Sequence, residues 1–417
     1  MQNGWRHVLV SSNAPNRIPI YALLVANVIS LIGSTLTTVA IPWFVLSTTG
    51  SASKAGLTGA FEFAPAFFAG ILGGVVIDRI GPRIAAIIAD LVSGISILMI
   101  PILYKTVGLA FWQLLILVLL ASLLSIPGTT ARRAMLPELA TLGNVRLDRV
   151  NAILEGNQHL AYFIGPPLAG ILIAIMGTSN VLWIDGASSL ISVAALVLLV
   201  PTITRQSSGV VRSGLIAEIR EGLVWLWNDS VVKWIAIALC VMNAFGSPFF
   251  SLIFAVYAKD RWDDPRYLGL MLSAFSVGLL VGTSLYGWKG VRLPRRWFVV
   301  TFLLLATISY WPLLRDTPFV LLIGLLILGG LSDGPVNPLL VSVRLERIPE
   351  AMRGRVFAAT SAFAQLLPAA MIPLTGIAIQ QIGLRPTILI LAIGCLVAGV
   401  GMALNPVWKH LDDTRPA

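Results

Sequence analysis

Apolar stretches about twenty residues long recur roughly a dozen times in this chain, set apart by short clusters of charge, Gly and Pro. A run of that length leaves water only as a helix, because a backbone in lipid must satisfy its N–H and C=O groups within its own segment. Of 417 residues, 57% are hydrophobic and 12% charged, with a mean hydropathy of +0.88. Soluble domains carry about a quarter charged residues, so lipid is the solvent for most of this surface. The segments lie near 18–46, 55–77, 83–104, 109–131, 151–176 and 181–201, then 231–258, 267–288, 297–314, 319–343, 355–381 and 386–408. The fold class is an all-α polytopic membrane protein with twelve spans in two sets of six.

The polar stretch from Met1 to Arg17 precedes the first segment with no small-residue cleavage site after it, so that segment reads as a retained helix rather than a signal peptide. Cys240 and Cys395 both sit inside apolar segments and offer no disulfide or metal framework. A net charge of +10 raises the question of nucleic acid. The arginines, however, sit in short loops between apolar segments, where the positive-inside rule accounts for them. With the N-terminus in the cytoplasm, 22 of the 29 Lys and Arg residues fall in inner loops, among them Arg132, Arg133, Arg344 and Arg347, and seven fall outside. On this count both termini are cytoplasmic, every Lys and Arg lies outside the hydrocarbon, and no nucleic-acid partner is expected.

The longest hydrophilic interruption, 202–229, divides the chain into 1–201 and 230–417. Within it Leu215, Ile219, Leu223 and Leu226 recur at helical spacing, which predicts an amphipathic helix lying on the membrane surface or against the bundle. The halves repeat one another. Arg149-Val150-Asn151-Ala152 returns as Arg355-Val356-Phe357-Ala358, and Pro167-Leu168-Ala169-Gly170-Ile171 returns as Pro373-Leu374-Thr375-Gly376-Ile377, both 206 residues later. Leu136-Pro137-Glu138 has a counterpart in Ile348-Pro349-Glu350 at a slightly different spacing.

Between the second and third segments, Gly74, Asp78, Arg79, Gly81 and Arg83 fill the pattern G-x-x-x-D-R-x-G-x-[RK], with Pro82 in place of the more usual Arg. This resembles the loop signature of the major facilitator superfamily. That resemblance implies two parallel six-helix repeats that alternate access to a central site. It also implies a conformational latch in which Asp78 meets the start of the eleventh helix at Arg353-Gly354-Arg355. In the fifth segment Ala152, Ala161, Gly165, Pro166, Ala169 and Gly170 occupy the six places of the facilitator antiporter motif G-x(8)-G-x(3)-G-P-x-x-G-G, three Gly having become Ala. Small residues there equally serve close helix packing. Ala131 to Glu138, Leu147 to Asn151, Ile164-Gly165-Pro166, Glu221 to Trp227 and Arg353 to Val356 resemble the macrolide-efflux branch and its Tap-type multidrug exporters. The branch implies export of amphipathic or cationic small molecules from a bacterial cytoplasmic membrane.

No G-x-x-x-x-G-K-[ST] loop is present, so ion coupling or facilitated diffusion is expected rather than ATP hydrolysis. The chain offers no enzyme constellation and no metal cluster; it is expected to need no cofactor and to work as a monomer on protons and a small molecule. Acids within apolar segments are costly and usually functional. Glu155 and His159 stand one turn apart on the fifth helix, where burial would tune the carboxylate toward neutrality and allow a proton relay, or a satisfied polar cluster with Asn151 and Gln158. Glu62 and Asp333 are the other coupling candidates, while Asp90 and Asp185 read as structural. Tap-like sequences carry an acid in the first helix, where this chain has Ile32-Gly33-Ser34-Thr35. Trp43, Phe61, Phe245 and Phe249 are candidate pocket aromatics. A lysophospholipid, siderophore or nutrient carrier on the same fold, or a sensor that no longer transports, remains open.

Overall fold

The computed structural model describes residues 16–63, 65, 80–202, 215–288, 294–305 and 307–413, which are helical almost throughout, with no strand among them. Ten helices are long and apolar enough to cross a membrane. They are Ile18–Thr49 (span 1), Pro82–Thr106 (span 3), Phe111–Leu142 (span 4), Leu147–Met176 (span 5) and Thr178–Leu199 (span 6). The second half contributes Ser230–Trp262 (span 7), Pro265–Trp288 (span 8), Phe319–Arg347 (span 10), Arg353–Ile382 (span 11) and Leu384–Ala403 (span 12). Span 2 begins at residues 52–63, and its continuation, with Gly74, Asp78 and Arg79, lies outside the described residues.

Span 9 departs from the single helix expected over 297–314. It is helical over Arg295–Leu305, then passes through turns at 307–310 into the 3-10 helix Trp311–Leu314. Pro312 has no N–H to give to Ile308, and its ring crowds that carbonyl, so the chain tightens instead: Ile308 N donates to Leu305 O at 2.9 Å and Tyr310 N to Thr307 O at 2.9 Å. Span 7 carries a complementary irregularity, a π-helical turn at Phe249–Ile253 directly after Pro248. There Phe249 N–H bonds Gly246 O instead of Phe245 O. The freed Phe245 carbonyl accepts the Tyr310 hydroxyl at 2.8 Å, so the break in one span satisfies the bulge in the other.

Spans 4 and 10 run further than expected, to Leu142 and Arg347, and this corrects the placing of every cation in a loop. Arg132 and Arg344 sit inside these helices at 5% exposure each.

The repeat read from the sequence is visible in the backbone. Gly177 (φ 80°, ψ 155°) and Gly383 (φ 90°, ψ 167°), 206 residues apart, make the turns from span 5 to 6 and from span 11 to 12 in a conformation open to glycine. Gly50 and Asp263, 213 apart, end spans 1 and 7 in the left-handed region. These four turns define one end of the bundle, the far end; the linker helix Leu215–Asn228 lies at the other.

The halves meet at the far end. A Cβ on Gly170 of span 5 would lie 2.8 Å from Pro265 O and 3.1 Å from Gly269 Cα of span 8. A Cβ on Gly376 of span 11 would lie 2.6 Å from Ala52 O and 3.1 Å from Gly56 Cα of span 2. The two crossings are repeat counterparts, and at each a side chain would collide with backbone. One apolar core spans both halves there, joining Leu36, Phe44 and Ala169 to Phe249, Phe254 and Leu268. Toward the linker end the cores are separate, one around Leu23, Met135 and Leu196, another around Ile235, Leu339 and Trp408.

The linker helix lies against the bundle, the second of the two placements expected for it. Leu226 is fully buried, Trp227 meets Phe363 edge-on at 5.7 Å, and Glu221 pairs with Arg355 of span 11.

Candidate functional site

The half of span 1 nearer the linker end carries polar side chains among its apolar ones. Span 1 presents Asn27, Leu31, Ser34 and Thr38 at helical spacing, and Ser34 and Thr38 are exposed. Glu62 stands beside the upper end of this track, half-buried, its Oε1 3.4 Å from the Thr38 hydroxyl that donates to it. Ser122 of span 4 donates to Phe61 O at 3.2 Å and fixes the neighbouring backbone. Glu62 is therefore held at the start of span 2 facing Thr38 of span 1.

Glu155 is placed differently from the buried relay expected for it. It is half-exposed at the linker-end mouth, 2.7 Å from Arg133 Nη2. The burial on which a tuned carboxylate depends is not found there; the side chain of His159 lies outside the described residues. Asp333 is half-buried at the end of the helix Phe319–Asp333, where the chain turns at Gly334-Pro335. Gly330 and Gly334 seat that turn on the span 8 backbone, and Thr283 donates to Gly334 O at 2.8 Å.

Asp185, two turns into span 6, is buried and accepts from Thr37. Asp90 is buried between Arg132 of span 4 and Ser192 of span 6, whose hydroxyl donates to it at 2.6 Å. Both carboxylates tie spans of the first half together, as expected of structural acids.

A cavity of about 120 Å³ opens beside this pair, between spans 1, 4 and 5. Its polar wall is Asn27, Thr129, Arg132, Arg133 and Gln158, closed by two leucines. Sequence reasoning missed it because Arg132 was read as a loop residue. The available signal was the Pro137/Pro349 repeat, which puts Arg132 and Arg344 at matching positions before the proline.

Of the candidate aromatics, Trp43 (4% exposed) and Phe249 (1%) are packed into the shared core, while Phe61 and Phe245 are half-buried at its border. Trp43 takes part in far-end closure, with Lys259 Nζ 5.3 Å from its ring centre. Ser51 of the first half donates to Gln380 of the second at 3.0 Å.

The described parts of the loop signature behave as anchors. Gly81 (φ 83°) turns the chain into span 3, and Arg83 reaches Leu196 O at 3.1 Å, Val197 O at 2.7 Å and Thr202 Oγ1 at 2.7 Å, holding the end of span 6. Across the molecule Arg353 bonds Glu350, Ile348 O and Leu345 O, and Arg355 bonds Glu221, while a Cβ on Gly354 would meet nothing within 4 Å. In the antiporter-like motif, Ala152 is exposed at the mouth and Ala161 is buried. Gly165 lets Thr35 of span 1 close in, and Pro166, Ala169 and Gly170 form the crossing onto span 8.

The major facilitator superfamily family model matches residues 23–263 and 250–416. The chain belongs to that superfamily. It is 30% identical over 403 residues to the multidrug efflux pump Tap of Mycobacterium tuberculosis, covering 95% of this chain and 96% of that one. It is 22% identical over 375 residues to macrolide efflux protein A of Streptococcus pyogenes, covering 88% and 91%. Its place in the Tap and macrolide-efflux branch follows. Among solved structures, the nucleoside transporter NupG superposes with a TM-score of 0.74 at 13% identity over 93% of this chain and 99% of that one. A bacterial homologue of the human lysosomal transporter Spinster, in an inward-facing and unoccupied conformation, gives 0.74 at 13% identity over 97% and 100%. These two likenesses carry the fold.

Proposed function

We propose that this facilitator is a proton-coupled antiporter of a bacterial cytoplasmic membrane, exporting amphipathic or cationic small molecules as a monomer by rocking residues 1–201 against 230–417 about a cytoplasmic linker. The observation that carries the reading is the pairing of a far end sealed by two repeat-related glycine crossings with a half-buried acid, Glu62, set against Thr38 on the polar side of span 1. With the linker end cytoplasmic, as its arginines require, this is the state that loads substrate from the cell. Likeness to Tap supports the drug class.

Glu62 supplies the coupling. Ionised, it attracts a cation and accepts from Thr38; protonated, it has no charge to offer. Proton and substrate therefore exclude one another at a single carboxylate, and exchange follows without a second site. Glu155, half-exposed and neutralised by Arg133, serves the linker-end mouth instead.

Reconstituted protein tests this. Wild type should drive a cationic dye uphill against an imposed pH gradient and move protons in return. Glu62→Gln should retain downhill dye exchange and lose the uphill component. Uphill transport by Glu62→Gln at the wild-type rate refutes the assignment, and dye-independent behaviour of both proteins refutes export.

A further inference from the structure

We propose that the cavity between spans 1, 4 and 5 is a carboxylate subsite, so that this exporter takes substrates bearing an anionic group as well as simple cations; the inference deepens the export reading and rests on it. Three observations point there. The five polar side chains of the wall, Asn27, Thr129, Arg132, Arg133 and Gln158, all carry hydrogen-bond donors, and no carboxylate is among them. Arg132 is 5% exposed, and its Nε has no hydrogen-bond partner. The carboxylate partners of the two guanidiniums do not line the cavity: Asp90, itself held by Ser192, takes Arg132 Nη2, and Glu155 takes Arg133 Nη2.

A buried guanidinium N–H left unbonded is costly, since its desolvation is not repaid. A carboxylate reverses that, because charge-assisted bonds to Arg are shorter and stronger than neutral ones. The cavity volume of about 120 Å³ accommodates such a group with water around it. The pocket has a solvent-reachable side, since Arg133 on its wall is half-exposed. It is separate from Glu62: Asn27 and Thr38 are eleven residues apart on span 1, about 16 Å along the axis, so a small zwitterion touches one or the other.

The test uses the whole protein in detergent and two probes of nearly equal shape, a cationic rhodamine with a free benzoate and its methyl ester, with binding read by fluorescence anisotropy. The free acid should bind about tenfold more tightly than the ester, as one charge-assisted bond at a buried donor allows. Gln158→Glu, which puts a carboxylate into the wall, should bring the two affinities together. The double variant Asp90→Asn/Arg132→Gln should do the same; it removes the ion pair as a unit and leaves no unpaired charge. Inorganic phosphate should compete with the acid and not with the ester. Equal binding of acid and ester by wild type overturns the subsite while leaving the export reading intact. A preference that survives both variants places the carboxylate elsewhere and overturns it equally. Binding of neither probe defeats the subsite and the export reading together. Stabilisation by phosphate with no preference between the probes marks a free-anion site and overturns the link to substrate.

Discussion

Adding one methyl group to the crossing of spans 11 and 2 should tip the protein out of the state described here. The Cβ of Gly376→Ala would lie 2.6 Å from the carbonyl oxygen of Ala52. Ordinary contact begins at 3.4 Å, so two backbones must part by about 0.8 Å. At the counterpart crossing, Gly170→Ala needs about 0.6 Å from Pro265 O. Neither obstacle is a side chain that can swing aside. Overpacking of this kind costs roughly 1–3 kcal/mol. All the close atoms belong to the opposite half, so the strain exists only while the far end is closed. It therefore weighs on the conformational equilibrium rather than on folding. That cost is about a five- to 150-fold shift toward the far-end-open state for either variant, and a larger one for the pair. Distances between spin labels on the linker-end turns of spans 5 and 8 should shorten, and a cysteine at Gln380 should become more reactive to an impermeant reagent. The native cysteines are both buried and give little background. Gly401→Ala on the exposed side of span 12 is the control, since nothing lies within 4 Å of its Cβ. A distance distribution unchanged in Gly376→Ala, with the protein folded, would refute the idea that the glycine crossings hold the closed end.

Glu155→Gln should leave uphill transport largely intact, because its carboxylate is half-exposed and already paired; loss of coupling in that variant would return the proton to the linker-end mouth. Tyr310→Phe should lower thermal stability by about 1–2 kcal/mol, because it strands the Phe245 carbonyl at the π-helical turn; an unchanged unfolding curve would show that carbonyl finding another donor. In the linker, Trp227→Ala should loosen the helix more than Glu221→Gln, as seen by hydrogen exchange, since the Glu221–Arg355 pair is partly exposed and worth under about 1 kcal/mol. Equal effects would count against docking through the apolar face. Single cysteines at Ser51 and Asp316 should react with an outside impermeant reagent in intact cells while one at Ser208 stays silent; the reverse pattern would invert the orientation.

Element existence was legible because lipid removes alternatives: a twenty-residue apolar run has one backbone solution, and most span limits fall within a few residues of those read from hydropathy. The failures share a cause. Hydropathy ends a span at its first charge, so it stopped span 4 at Ala131 and span 10 at Val343, although the helices continue through buried Arg132 and Arg344. Whether a charge is solvated or buried depends on the facing helix, and Asp90 is 42 residues away in sequence. The broken ninth span was signalled by Pro312, but its tolerance depends on Tyr310 completing a bulge in span 7, a partnership no local pattern contains. Glu155 drew attention through its spacing to His159, which fixes a shared helix face without fixing whether that face is buried. Glu62 was legible as an intramembrane acid; its contact with Thr38 of span 1 was not.

The two halves duplicate their mechanics and not their chemistry. Gly177 and Gly383, Gly50 and Asp263, and the crossings at Gly170 and Gly376 recur at matching positions, so each half carries the same turns and the same contact onto its partner. A rocking motion needs this, because a closure made on one side of the axis alone would hinge the bundle open on the other. The partners of the ionisable groups show no such matching. Arg132 faces Asp90, whereas its counterpart Arg344 lies over the Phe357 ring at 4.7 Å, with its Nε on Leu340 O. Where the first half holds Glu62, Asn27 and Gln158, the second has half-buried Phe250 and Phe275, 4.5 Å apart and backed by the buried rings of Phe249 and Phe254. Under the proposed function, an amphipathic substrate held between these walls would meet charge and hydrogen bonds on one side and apolar rings on the other, an arrangement it satisfies in a single orientation. Symmetric turns and crossings thus frame two chemically unlike walls, and under the exchange proposed at Glu62 the proton is gained and lost in the first half alone.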